Sequence, residues 1–228
     1  MADMPDVSVV TPADAAAGGT TATRRRPRPG ERRIQILQAL AAMLEAPGGE
    51  RITTAALAAR IGLSEAALYR HFASKAQMFE GLIDFIEASV FTRVDPIAEG
   101  QPPGPAQAGR IVSALLQFGE KNPGMTRVMV GDALVFEHER LAARMSRFFE
   151  RIEAQLRRSL GDAAGAAGAE GAEGAPAHGI DVDAAARASV LTAFCIGRLQ
   201  RHARSGFRRA PTEQLDAALR LLGAAPPA

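Results

Sequence analysis

The 228-residue chain has no tryptophan, one tyrosine (Tyr69) and one cysteine (Cys195). A lone cysteine excludes an intramolecular disulfide and favours a reducing, cytoplasmic setting. Cys195 sits in the apolar run Ala193, Phe194, Cys195, Ile196, so a buried, inert thiol is expected. No run of about 18 apolar residues occurs, so no membrane span or anchor is expected. The N-terminus lacks a basic stretch followed by an apolar one, so no secretory signal is expected either. Valine, isoleucine and threonine are scarce over most of the length, which argues against a β-rich fold.

Signatures of catalysis are also missing. HExxH, CxxC, GxSxG and GxxxxGK[ST] are all absent. The four histidines, His71, His138, His178 and His202, are scattered. His138 lies between Glu137 and Glu139, but adjacent residues on a helix point apart, so a solvated face is the better reading than a metal site. No enzyme activity, metal or cofactor is expected.

What is present is helix-forming. Ala, Leu, Glu, Arg and Gln dominate, and 47% of residues are hydrophobic, enough for a sizeable core. The fold class expected is all-α. The formal charge is only +2, but residues 24–93 hold ten arginines, one lysine and seven acids, a local excess that suits a nucleic-acid partner.

Residues 1–30 are rich in Ala, Thr, Pro and Gly and end in a basic cluster of Arg24, Arg25, Arg26 and Arg28. They read as a disordered arm, either a solubilising tail or an arm that meets DNA. A first helix is expected over 31–46, with Ile34, Leu37, Leu40, Ala41 and Leu44 inward and Pro47, Gly48 and Gly49 as its stop. Thr53 or Thr54 caps a second, running to Ile61. Gly62 makes a turn, Ser64 caps a third through Phe72, and Ser74 caps a fourth over 75–94. Pro96 and Gly100–Pro105 break the chain between a reading head (31–76) and a body (77–228). Helices follow at 107–120, 124–130 and about 132–160. In the last, Leu141, Met145, Phe148, Ile152, Leu156 and Leu160 form a stripe fit for a coiled coil or a bundle core. Residues 161–179 read as a Gly/Ala-rich flexible loop, before helices at 181–204 and 212–222.

The most informative stretch is 51–72, RITTAALAARIGLSEAALYRHF: two short helices around Gly62. Ala58, Ile61, Leu63 and Leu68 are spaced to pack on Leu37 and Leu40. Ser64, Glu65, Ala67, Tyr69, Arg70 and His71 remain for the outside of the second short helix. Small residues such as Ala66 and Ala67 let such a helix enter a major groove about 12 Å wide. Tyr69, Arg70 and His71 can donate to phosphates or base edges, as can the hydroxyls of Thr53 and Thr54. Ser74 and Lys75 offer the same at the start of the fourth helix.

The run from Ser64 to Lys75, S-x-x-x-L-Y-x-H-F-x-S-K, resembles the recognition helix and following turn of the TetR family. The resemblance implies that Tyr69, His71 and Lys75 contact the DNA backbone while Phe72 plugs the core. It implies a homodimer joined by its helical body, capable of higher-order assembly on DNA, with half-sites about one helical turn apart on a near-palindrome. Segments 32–45, 51–94, 118–160 and 193–218 further resemble the nucleoid-occlusion branch of the family. That implies localisation on the nucleoid, binding of palindromic chromosomal sites, and DNA-dependent antagonism of the tubulin-like division protein FtsZ. Phe85, Arg93 and Asn122 match the branch's partner surface, and Lys121 keeps its charge. Ala114 and Gln117 replace an expected Leu and Gly there, and Ala56 replaces an expected Lys in the second helix. The rival reading is a repressor of the same family released by a small molecule, its pocket lined by Phe85, Phe91, Phe118, Phe136, Phe148 and Phe149. Core filling is the simpler role for those rings.

Overall fold

The computed structural model describes residues 30–46, 51–100, 102–168 and 178–226. Residues 1–29, holding the expected arm, and 169–177, within the expected loop, lie outside the described residues. Every regular element described is helical: α1 (Glu31–Glu45), α2 (Thr54–Arg60), α3 (Glu65–Tyr69), α4 (Lys75–Gly100), α5 (Pro105–Lys121), α6 (Pro123–Met129), α7 (Glu139–Gly168), α8 (His178–Arg204) and α9 (Leu215–Leu221), with one 3-10 turn at Asp132–Leu134.

Helices α1–α3 form the reading head, and α4 leaves it to join the body. There α4 packs on α5 and α7, α7 lies along α8, and α5 sits among α4, α7 and α8. The expected stripe from Leu141 to Leu160 is buried against these neighbours, so its spacing serves an internal bundle seam. The head is also seated on the body through α1 and α6. Gly124 permits this: a Cβ there would lie 2.3 Å from the Ala41 carbonyl oxygen.

Several expectations are corrected. In α1 the inward positions are Ile36, Leu40 and Leu44; Ile34 is exposed, while Leu37 and Ala41 are half-buried. Pro96 does not break the fourth helix, which continues to Gly100. Proline removes one ladder bond and crowds the carbonyl one turn back, but Val94 and Ile97 hold both sides of it against the core. The break falls at Pro102–Gly104, inside the expected Gly100–Pro105 segment. The helix expected from 132 begins at Glu139, after the 3-10 turn. Its backbone continues helical to Gly168, so residues 161–168 are not loop. His202 is buried, with Nδ1 2.7 Å from the Arg209 carbonyl oxygen. Cys195 is fully buried, and burial pushes its thiol up to about 12.

Candidate nucleic-acid interface

Local hydrogen bonding builds the head. The Thr53 hydroxyl accepts from the Ala56 amide at 3.1 Å, capping α2. At its far end the Leu63 amide reaches the Ala58 carbonyl (2.9 Å) and the Gly62 amide reaches that of Ala59 (3.2 Å). This Schellman pattern needs a left-handed residue, and Gly62 has φ 65°. The Ser64 hydroxyl then accepts from the Ala67 amide at 3.2 Å, starting α3. Ser74 repeats the device for α4, accepting from Gln77.

The two short helices are tied by side chains as well. The Thr54 hydroxyl donates to Glu65 at 2.7 Å, and the Tyr69 hydroxyl lies 3.5 Å from Thr54 Oγ1. Thr53, Ser64, Ala66, Tyr69 and Arg70 are exposed; Thr54 and His71 are half-buried. Ala67 is a correction: it is turned inward, 9% exposed, beside fully buried Leu68. A five-residue helix has little more than one turn, and Ala67 and Leu68 together fill its inner side. Ala66, not Ala67, presents the small outer surface.

Phe72 is buried, with the Arg33 guanidinium 4.1 Å over its ring. Arg33 also donates to the His71 carbonyl, so α1 clamps the chain just after α3. Sequence reasoning missed this role; the pairing spans 38 residues and has no local signature. Lys75, expected at the DNA backbone, is ion-paired with Glu137 of the body. Glu137 is thus turned toward a lysine of the head, and His138 Nδ1 accepts from the Arg140 amide at 3.3 Å. Among the described residues no group of three or more His, Cys, Asp or Glu side chains could hold a metal ion.

On the body, Phe85 of α4 is 46% exposed with its ring centroid 6.5 Å from that of Phe118 in α5. Arg93 and Lys121 are exposed, and Asn122 donates to the Phe118 carbonyl at 2.8 Å. Phe91, Phe118, Phe148 and Phe149 are buried in the core, and Phe136 is exposed.

An α-helical head with capped short helices, carried on an α-helical body, is the architecture of a DNA-binding regulator. Residues 36–82 match the bacterial regulatory proteins of the tetR family, and residues 106–224 match the tetracyclin repressor-like C-terminal domain of SlmA-like type. The nucleoid occlusion factor SlmA of Escherichia fergusonii is 48% identical over 194 residues, covering 85% of this chain and 93% of the relative. That of Alteromonas mediterranea is 47% identical over 185 residues, covering 81% and 90%. The TetR family transcriptional regulator PfmR from Thermus thermophilus shares the fold, with a TM-score of 0.64 at 19% identity over 83% of this chain and 97% of that one. The chain belongs to the tetR family and, within it, to the SlmA nucleoid occlusion factors.

Proposed function

We propose that this protein binds palindromic chromosomal sites as a homodimer and, when bound, antagonises FtsZ ring assembly over the nucleoid. The supporting observation is the span of α4. One 26-residue helix begins at the reading head with Lys75 and carries Phe85 and Arg93 farther along its length. At the bundle wall the Phe85 ring stands 6.5 Å from that of Phe118, near the end of α5 where Lys121 and Asn122 lie, and Arg93 is exposed about two turns farther along α4. An acidic, flexible partner tail would order on this cationic surface, at modest affinity because ordering costs free energy.

Thr53, Thr54, Ser64, Ala66, Tyr69, Arg70, His71 and Lys75 are the proposed DNA contacts. The exposed small face of Ala66 suits the major groove, and Arg70 and the hydroxyls suit phosphates. Dimerisation is assigned to α8, where Val190, Ala193, Gly197 and Arg201 form an exposed stripe at helical spacing. Small residues in the middle of that stripe allow close approach of a second copy.

The test is sedimentation of FtsZ polymers with this protein, with and without a bound duplex obtained by selection. Loss of polymer mainly in the presence of DNA is expected. FtsZ polymer unchanged in both conditions would remove the division role and leave a DNA-binding regulator.

A further inference from the structure

The segment before α7 touches the reading head at two cations. Glu137 is ion-paired with Lys75, and the Arg51 guanidinium lies 5.4 Å from the ring centroid of Phe136. Arg51 precedes α2 and Lys75 opens α4, so adjacent residues of the body reach two separate parts of the head. The carboxylate of Glu137 is drawn in to 10% exposure, whereas Val135 and Phe136 just before it are each 70% exposed. Val135 and Phe136 thus add little apolar burial, and the ion pair supplements the buried Ala133 and Leu134 just before them in holding this segment.

A phosphate oxygen and a carboxylate oxygen make the same demand on a lysine ammonium. We infer that Glu137 is an intramolecular stand-in for a DNA phosphate: it occupies Lys75 in the free protein and must release it when DNA binds. This rests on the proposed placement of Lys75 at the DNA backbone. Glu137 sets two properties at once. It lowers DNA affinity by competing for one cation, and it ties the occupancy of the reading head to the start of α7. Beyond Glu137, α7 is held to α4 by Arg140–Glu80 (2.8 Å) and Arg144–Glu87 (2.6 Å). Release therefore frees residues 135–138 without detaching the helix that follows.

Four variants test this by fluorescence anisotropy on one duplex across a salt series, with folding checked by circular dichroism. Glu137→Gln should tighten binding roughly three- to ten-fold, the effect of losing one partly buried ion pair. It should also steepen the salt dependence by about one phosphate contact. Glu139→Gln removes the same charge from an exposed position two residues on, and should change affinity far less. Lys75→Met should weaken binding, and in the Lys75→Met, Glu137→Gln double variant the gain from Glu137→Gln should vanish. Lys75→Met binding as well as the parent, while Tyr69→Phe binds weakly, would overturn the placement of Lys75 at a phosphate. Lys75→Met weakening binding with Glu137→Gln neutral, or Glu139→Gln matching Glu137→Gln, would overturn the competition itself. A gain that survives in the double variant would do the same.

Discussion

Arg140, Arg144 and Arg151 of α7 each face a carboxylate on α4, whereas Arg51, Arg60 and Arg70 lie exposed in the reading head with no carboxylate partner among the described residues. The seam residues run in step: Glu80 with Arg140, Asp84 and Glu87 with Arg144, Asp95 with Arg151. The two helices therefore lie parallel, with charges in register. Arg151 also lies 3.5 Å over the Phe91 ring. Such arginines are consumed by the fold. Arg51, Arg60 and Arg70 keep their donors for another molecule, and neutralising phosphates supplies most of the affinity for DNA. The same side chain thus has two uses in one chain, and the difference lies in whether a carboxylate stands opposite.

The largest expected effect checks that the head is a packed unit rather than a charged surface alone. Phe72→Ala should cost about 3–5 kcal/mol, the range for emptying a buried aromatic site. Thermal melting should fall sharply and DNA binding should disappear with it; an unchanged melting temperature would deny Phe72 its place in the core.

A smaller pair of variants tests the comparison directly. Arg70→Ala should lower DNA affinity several-fold and reduce the salt slope by about one, with the melting temperature unmoved. Arg144→Ala should behave in the opposite way. The Glu87 carboxylate, then Asp84, hold the Arg144 guanidinium above its ordinary range, against the opposing effect of burial. After discounting for its partial exposure, its loss should cost about 1 kcal/mol, or roughly 2–4 °C in a chain of this size. Because the raised group is already an arginine, its own deprotonation removes that stabilisation only in strong alkali, so near neutral pH the pair is unaffected by the arginine's titration. Salt, not pH, is the variable to scan. Equal effects of both variants on DNA affinity would collapse the distinction between seam and head.

The smallest effect concerns Cys195. Its thiol is raised from 9.0 to about 12 by burial. A buried thiol held neutral opposes folding only where the unfolded chain would ionise it, so stability is unaffected below 9 and falls as pH climbs from 9 toward 12. Thiol reagents should label it at neutral pH only as fast as the protein opens, and at once in urea. Rapid labelling of the native protein would place it outside the core.

Much of the site is legible in the sequence because its signals are local. Thr53, Ser64 and Ser74 accept from amides three residues ahead, and Gly62 takes the one positive φ the turn requires. The inward positions of α1 are only partly legible. Ile34 and Ile36 are both large and apolar, and composition alone does not decide which of two faces meets α2 and α4. Pro96 is a weaker stop than its residue type suggests, since buried neighbours on either side hold a helix that proline alone would weaken.

By itself the sequence determined an all-α chain, a capped helix-turn-helix between Thr53 and Phe72, a buried thiol and an amphipathic α7. Each of these depends on neighbours within a few turns of one helix. Tertiary structure alone decided that Ala67 points inward, that Arg33 holds the His71 carbonyl across 38 residues, and that Lys75 meets Glu137 across 62. Those outcomes depend on how helices rotate and dock. A contact between distant residues forms only when packing has set both rotations, so no periodicity in the chain announces it.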